Sequence, residues 1–317
     1  MELIEIHHPY DPSAIPSGDV VMTLGFFDGV HRGHQAVIKR AKEEAIKRGL
    51  KLAVMTFNQH PSIVFQKIDP KAVRYLTTVE QKAEIMAALG VDYLYVVEFT
   101  SAFAGLSPEA FVDEYIVGLN AKVAVAGFDY TYGKKEIAAM EHLPGYAQGR
   151  FDVITVDKLS ENNLKISSSR IRVYLDEGEM ELVNEMLAYD YVTGGIVVHG
   201  DARGRTLGFP TANVKTSSAV HLPKDGVYVV EIKVADKWYQ GMAQIGHNIT
   251  FKANRDRTVE VYILDFSQDI YGEQVEVRWL HYLRGEIKFD GIEGLVAQLN
   301  EDKQNTGLYF KERGSLA

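Results

Sequence analysis

Cysteine is absent from this chain. That excludes disulfides, thiolate nucleophiles and Cys-ligated metal centres, and it fits a reducing compartment, so a cytoplasmic location is expected. Long apolar runs are missing too. Apolar residues make up 46% of the sequence, yet no stretch approaches the ~20 uninterrupted residues of a membrane span, and no membrane partner is expected. The opening Met1-Glu2-Leu3-Ile4-Glu5-Ile6-His7-His8 carries neither the basic nor the apolar region of a secretory signal. Positive charge is not in excess. A formal net charge of −9 is the wrong sign for a general nucleic-acid binder, whose footprint is a basic face. Affinity for phosphate therefore has to be local. Internal repeats and low-complexity tracts are absent as well, and 317 residues are too many for one typical core and suit two domains.

The pattern of what is present changes partway along the chain. From Val20 to about Leu187, short β-rich runs alternate with helical segments, as expected for a parallel sheet with crossover helices. Val20–Leu24, Leu52–Phe57, Tyr93–Phe99, Val123–Ala126 and Val153–Val156 read as strands. Val37, Ile38, Ala41 and Ala45 give Gln35–Arg48 a helical period, which Gly49 ends. Thr77-Thr78-Val79-Glu80 reads as a capping box for a helix through Leu89, and Ser107-Pro108 as a cap followed by an N1 proline. After Tyr189 the runs Tyr191–His199, Gly226–Val234, Trp238–Ile245, Thr258–Phe266 and Gln274–Tyr282 are strand-like, and only Ile292–Leu299 is clearly helical. That texture predicts a small antiparallel barrel with a C-terminal helix, and a division into 1–187 and 188–317 at the change of pattern over Ala188–Asp190.

The chemistry concentrates in a few strings. Gly25-Phe26-Phe27-Asp28-Gly29-Val30-His31-Arg32-Gly33-His34 follows a strand and opens a helix. Glycines let the backbone turn tightly, the first helical turn offers unpaired N–H groups, and the dipole adds positive character, so this is a phosphate-binding setting. His31 and His34, three residues apart, share one side of that turn. A glycine turn with two surface histidines is the plainer reading of the decapeptide alone. Ser167-Ser168-Ser169-Arg170-Ile171-Arg172 is either a serine-capped helix with a basic face or a second phosphate contact. In Gly204-Arg205-Thr206-Leu207-Gly208-Phe209-Pro210-Thr211-Ala212-Asn213, Thr211 and Asn213 alternate along an extended segment. Both can then offer oxygen to one Mg2+.

Seven strings in this order resemble the bacterial bifunctional FAD synthetases, which phosphorylate riboflavin and adenylylate the resulting FMN. They are the decapeptide; Thr56-Phe57-Asn58-Gln59-His60-Pro61; Gly127-Phe128-Asp129-Tyr130-Thr131-Tyr132-Gly133; Ile166 to Arg172; Gly200-Asp201-Ala202-Arg203 running on into Gly204 to Asn213; Gly226-Val227-Tyr228; and Glu260-Val261-Tyr262-Ile263-Leu264-Asp265-Phe266. The resemblance implies a Rossmann-like α/β nucleotidyltransferase domain followed by a riboflavin kinase-like antiparallel β-barrel with a C-terminal helix. It implies ATP, Mg2+ and the flavins riboflavin, FMN and FAD as ligands, and a monomer or weak oligomer.

Residue by residue, the resemblance places Gly25, Phe27, Asp28, Gly29, His31, His34, Ser167, Ser168, Ser169 and Arg172 around the ATP of adenylyl transfer, with His31, His34 and Arg172 catalytic. His60, Asp129 and Tyr130 fall on its flavin side. Gly204, Arg205, Gly208, Pro210, Thr211 and Asn213 would hold the ATP of the kinase, Thr211 and Asn213 its Mg2+, and Glu260 would be the base for the ribityl hydroxyl. Several positions depart from the pattern. Asn58-Gln59 replaces an acidic-and-proline pair before His60-Pro61, and Tyr130 and Tyr132 replace phenylalanines. Tyr262 stands where histidine is frequent, and Ile249 replaces a proline in Ile245-Gly246-His247-Asn248-Ile249-Thr250-Phe251. The altered Asn248–Phe251 loop leaves an alternative: FMN adenylyltransferase alone, with the barrel a non-catalytic flavin-binding or regulatory module.

Overall fold

The computed structural model describes residues 1–66, 68–157, 159–161, 164–200, 203–247 and 257–315. Its contacts divide it into two compact units, Met1–Ser168 and Ser169–Ala317.

The first unit is built on six parallel strands: β1 (Glu2–Ile6), β2 (Val20–Leu24), β3 (Lys51–Phe57), β4 (Tyr93–Val97), β5 (Ala121–Gly127) and β6 (Asp152–Val156), in the order β1-β4-β3-β2-β5-β6. Five of these are the strands expected from the β-rich runs. The sixth, β1, lies along the edge of β4, and only Ile6 of its five residues is buried. A parallel sheet covered on both faces needs strands that are apolar throughout, and all five residues of β2 are buried. Met22, Leu24, Met55, Tyr95 and Ala124 supply one face of the core, while Val21, Val54, Leu94 and Val123 pack on the other with Val37, Ile38, Ala41 and Ala45. Those last four are one stripe of the helix Arg32–Arg48, which ends at Gly49 in the left-handed region.

The capping box is displaced by one residue from the expected Thr77…Glu80. Thr78 caps the helix Val79–Ala88: its hydroxyl accepts the Gln81 N–H at 3.3 Å and the Gln81 side chain accepts the Thr78 N–H at 3.1 Å. Both pairs satisfy the same spacing rule, and the choice matters because Thr77 is thereby left for another partner. Ser107 and Pro108 cap and open their helix as expected. A short ribbon, β7 (Ser160–Glu161) and β8 (Leu164–Lys165), precedes the helix Ser168–Glu177.

The second unit is a closed antiparallel barrel of β9 (Tyr191–Val198), β10 (Thr211–Thr216), β11 (Gly226–Val234), β12 (Lys237–His247), β13 (Arg257–Ile263) and β14 (Gln274–Arg284), ordered β10-β13-β12-β11-β14-β9 and closed by β9 against β10. Closure leaves no free sheet edge. Trp279, Tyr228, Tyr191, Ile232 and Val277 are buried in this unit, and the indole N–H of Trp279 donates to Thr193 Oγ1 at 2.9 Å. The C-terminal helix runs over Ile292–Ser315, well past the expected Leu299. The turn after Leu299 is polar in sequence, and the later turns are held by ion pairs and by Tyr309, which stacks on His281 with centroids 5.4 Å apart. Arg284 grips Asp302, which is 2% exposed, and Arg313 pairs with Asp190.

The pattern change at Ala188–Asp190 lies inside this second unit. Helix Met180–Leu187 packs on β14 and β9, burying Val183, Met186 and Leu187, and the Asn184 side chain bridges the Trp279 carbonyl and the Tyr191 N–H. A barrel fragment starting at Tyr189 loses that cover. Each buried Val, Met or Leu side chain is worth roughly 1.5–3 kcal/mol, so urea unfolding should find this fragment at least about 3 kcal/mol less stable than one starting at Ser169. Equal midpoints would show that the helix adds nothing to the barrel.

Candidate active sites

β2 lies at the centre of the parallel sheet with β3 on one side and β5 on the other, so the chain reverses its direction of winding there. Loops leaving the carboxyl ends of these strands surround the crevice where ligands bind in open α/β sheets. From β2 comes the 25–34 turn, from β3 the loop with His60, and from β5 the loop with Asp129.

The 25–34 turn is tightly wound. Phe27, Gly29 and Val30 all have positive φ, at 54°, 78° and 35°. Val30 is β-branched and fully buried, so the surroundings have to enforce that conformation. Gly25 is required for a different reason: a Cβ there would stand 2.8 Å from the Phe27 ring. The bracing comes mainly from the segment ahead of helix Val79–Ala88. Asp28, 3% exposed, accepts the N–H groups of Leu76 and Thr77 through Oδ1 at 2.9 and 3.3 Å, and the Gly29 N–H donates to Thr77 Oγ1 at 3.0 Å. Ser168 Oγ donates to the Asp28 carbonyl at 2.9 Å and Gln35 Nε2 to the Val30 carbonyl at 2.8 Å. The Asp28 carboxylate, placed with ATP by resemblance, is thus engaged in holding the turn.

The two imidazoles stack. Their centroids are 3.6 Å apart with planes inclined by 16°, and the Phe27 ring stands edge-on to His34 at 5.3 Å. His31 caps helix Arg32–Arg48, its Nδ1 accepting the His34 N–H at 3.3 Å, so in the neutral ring the proton sits on Nε2. His34 Nδ1 is buried without a hydrogen-bond partner among the described residues. Burial holds the His34 pKa well below the ordinary histidine value, with the charges of His31 and Lys82 acting in the same direction. Two imidazoles thus sit at a helix N-terminus, His34 kept neutral by its burial, a setting suited to hydrogen-bonding phosphate oxygens.

His60 joins this group. Its ring meets Phe26 edge-on at 5.1 Å, its Nδ1 lies 2.6 Å from Ser62 Oγ, and its N–H donates to the Tyr75 hydroxyl at 3.1 Å. The Asn58-Gln59 departure does not leave the loop unshaped. Asn58 Oδ1 accepts the Phe99 N–H at 3.0 Å and Gln59 Nε2 donates to the Phe99 carbonyl at 2.8 Å, a two-point clamp on the backbone of one residue. Asp129 is exposed at the end of β5, whereas Tyr130 packs against the core and its phenol pKa is pushed up by burial. Ser167 and Ser168 end the first unit, while Ser169 and Arg172 belong to the second. Arg172 and Arg257 are both among the charges felt by His221, whose pKa is lowered chiefly by burial.

Lys82 went unread in the sequence. It is 3% exposed and lies within the apolar stripe Val79, Ala83, Met86 of its helix, a charged residue at a core position, which is the one signal that marks it. Its ammonium donates to the Phe26 carbonyl at 2.7 Å and to Thr56 Oγ1 at 3.1 Å, and stands 4.5 Å over the Phe26 ring.

The barrel carries the second constellation. Val214, Val259 and Val261 are buried in its core, so the alternating residues Thr211, Asn213, Glu260 and Tyr262 lie on the outer wall. Register brings them together: β10 runs antiparallel to β13 with Thr211 opposite Tyr262 and Asn213 opposite Glu260. Thr211 Oγ1 donates to Glu260 Oε2 at 3.4 Å. The glycine-rich string folds over this wall. Gly204 accepts the Phe209 N–H at 2.8 Å, Gly208 takes φ 82°, Arg205 accepts the Gly208 N–H at 3.3 Å, and Phe209 packs on Tyr262 while Pro210 is exposed. A Cβ at Gly200 would stand 2.2 Å from the Asn213 amide. The hydroxyl, amide and carboxylate form a hard-oxygen donor set of the kind Mg2+ accepts. Asp201-Ala202 and the altered Asn248–Phe251 loop lie outside the described residues.

Comparison with known proteins agrees with this division. A family model described as FAD synthetase matches residues 15–170 and one described as riboflavin kinase matches 187–310. The chain is 53% identical over 310 residues to the bifunctional riboflavin kinase/FMN adenylyltransferase of Listeria monocytogenes, covering 98% of both chains. It is 45% identical over 312 residues to that of Bacillus subtilis, again covering 98% of both, and 34% identical over 302 residues to that of Escherichia coli, covering 94% of this chain and 95% of the other. A solved structure from Streptococcus pneumoniae, described as a macrolide-efflux protein, superposes with a TM-score of 0.88 at 38% identity, covering 96% of this chain and 98% of its own. Among the described residues here no helix is long and apolar enough to cross a membrane. With both family models matched in order and relatives this similar along nearly its whole length, the chain belongs to the bifunctional riboflavin kinase/FMN adenylyltransferase family.

Proposed function

We propose that the chain makes FAD in two steps, each on its own unit. Riboflavin is phosphorylated by ATP on the barrel wall of Thr211, Asn213 and Glu260, and the FMN formed is adenylylated at the 25–34 turn. The observation that carries the assignment is the occurrence, in two compact units, of a stacked histidine pair at a helix N-terminus and a hydroxyl–amide–carboxylate set on adjacent strands.

In the adenylyl step an oxygen of the FMN phosphate attacks the α-phosphorus of ATP and pyrophosphate leaves, so negative charge grows on the bridging and pyrophosphate oxygens. His31 and His34 are placed to donate to those oxygens, and the backbone N–H groups of the helix's first turn add to them. His60 and Asp129, on the neighbouring loops, are assigned to the flavin side. Tyr130 is assigned there too, its ring forming the wall behind them. Ser167 and Ser168 are assigned to the phosphates in this reading, and Ser169 and Arg172, which fall in the second unit, are named with them by the resemblance alone. Asp28 contributes by fixing the turn. A neutral His34 suits the task, since it donates a hydrogen bond without the cost of a buried charge.

In the kinase step the ribityl 5′-hydroxyl attacks the γ-phosphorus and ADP leaves. Glu260 is the group able to take the hydroxyl proton, and Thr211 and Asn213 would hold Mg2+, which would supply charge neutralisation at the β- and γ-phosphates. Gly204, Arg205, Gly208 and Pro210 form the loop over those phosphates. The absence of cysteine and of any membrane-length apolar helix among the described residues supports a cytoplasmic enzyme, and two self-contained sites support function as a monomer or weak oligomer.

Replacing both histidines, His31→Ala with His34→Ala, should abolish FAD formation from FMN and leave FMN formation from riboflavin intact, read by chromatography of the flavins. Wild-type FAD synthesis by the folded double variant would remove the pair from the mechanism. Glu260→Gln should lower the rate of FMN formation by ~10²–10⁴ with little change in riboflavin binding, the loss typical of a general base. An unchanged rate would reduce Glu260 to a strand residue that merely accepts from Thr211.

A further inference from the structure

Buried ammonium groups are rare, because burial favours the neutral amine unless the structure uses the charge. Lys82 is buried with no carboxylate at ion-pair distance among the described residues, and it approaches the 25–34 turn from beneath. Its Nζ donates to the Phe26 carbonyl at 2.7 Å and to Thr56 Oγ1 at 3.1 Å, while Thr56 Oγ1 itself donates to the Phe26 carbonyl at 2.8 Å. One carbonyl thus receives two donors from two different elements, the helix Val79–Ala88 and β3. That carbonyl belongs to the residue whose ring meets both His60, at 5.1 Å, and Tyr75, at 6.0 Å. The next residue, Phe27, has left-handed φ and stands edge-on to His34.

We propose that Lys82 is a positioning residue for adenylyl transfer: its ammonium anchors the Phe26 carbonyl, and through it sets where the turn presents His31 and His34 and how the His60 loop is seated beside them. The inference rests on the assignment of adenylyl transfer to this turn. The groups facing the ammonium are the Phe26 carbonyl and ring and the Asp28 carboxylate from the turn, His34 and its stacked partner His31 from helix Arg32–Arg48, and Thr56 from β3. Burial lowers the Lys82 pKa to about 8 against the opposing attraction of Asp28. Below that pH the anchor is charged and its charge also disfavours protonation of His34; above it the ammonium is lost.

The test uses the full chain, with riboflavin phosphorylation by the barrel as the internal control for folding and for the state of ATP at each pH. In the wild type, kcat for FAD formation from FMN should fall on the alkaline side with a midpoint near 8, with no such limb in FMN formation measured in the same buffers. Lys82→Arg keeps a charge that does not titrate in this range, so its limb should move upward or vanish. Lys82→Met should lose the limb and lower kcat by up to ~10²-fold, the size of effect expected from sub-ångström to ångström misplacement of catalytic groups, with a smaller change in KM for ATP. A purely structural lysine would give Lys82→Met a lower melting temperature with wild-type kcat and an unmoved pH profile, and that result overturns the proposal. Should Lys82→Met fail to fold, Lys82→Arg decides: a folded arginine variant with wild-type kcat for FAD formation and an unmoved pH profile contradicts it. Failure of the underlying assignment is distinguishable: it would show as undiminished FAD formation when His31 and His34 are both replaced.

Discussion

The first site depends on one buried carboxylate that holds backbone in place. Asp28 accepts two consecutive backbone N–H groups, from Leu76 and Thr77, and this ties the 25–34 turn to the segment that leads into helix Val79–Ala88. Everything functional about the turn follows from that tie. Thr77, released from capping duty, accepts the Gly29 N–H with its hydroxyl, and Lys82 in the first turn of the helix reaches the Phe26 carbonyl. A backbone with positive φ at Phe27, Gly29 and Val30 has no intrinsic stability, so the bracing is what makes the histidine pair a fixed feature. Fixed donors are worth more to a phosphoryl transition state than mobile ones, since they need no reorganisation when charge develops.

The barrel solves the same problem by register. No turn has to be held in a strained state: antiparallel pairing alone sets Asn213 opposite Glu260, and the period of the strand puts Thr211 on the same outer wall. The cost falls on glycine. Gly200 and Gly204 allow neighbouring backbone and the Asn213 amide to approach where a Cβ would not fit. Arg284 and Asp302 then dock the long C-terminal helix on the barrel, and Lys303 of that helix reaches the Tyr262 hydroxyl at 3.4 Å beside the site.

Much of this was legible in the sequence, and the reasons are local. β2, β3 and β5 are central strands whose apolar runs cannot be mistaken, and the strand–glycine–helix order around His31 is a purely local pattern that the structure keeps as a turn between β2 and the helix Arg32–Arg48. Three features escaped for physical causes. β1 is a short edge strand with one buried residue, so its pattern was too weak. The C-terminal helix continues past Leu299 because ion pairs hold it, and those partners, Arg284 and Asp190, are distant in sequence. Lys82 acts through tertiary contacts with Phe26 and Thr56, and only its odd position in an apolar stripe hinted at it. The capping box shows a subtler limit: Thr77…Glu80 and Thr78…Gln81 both obey the rule, and the choice is made by the Gly29 N–H, which needs Thr77.

The central claim is that two independent sites, one on each unit, act in sequence through free FMN. Mixing equal amounts of the His31→Ala/His34→Ala chain and the Glu260→Gln chain with riboflavin and Mg-ATP tests it most directly. Each variant alone should make little or no FAD from riboflavin, and the mixture should make it at a rate well above the sum of the two, as FMN released by the first is adenylylated by the second. A mixture no better than its components, with both proteins folded, would contradict the account.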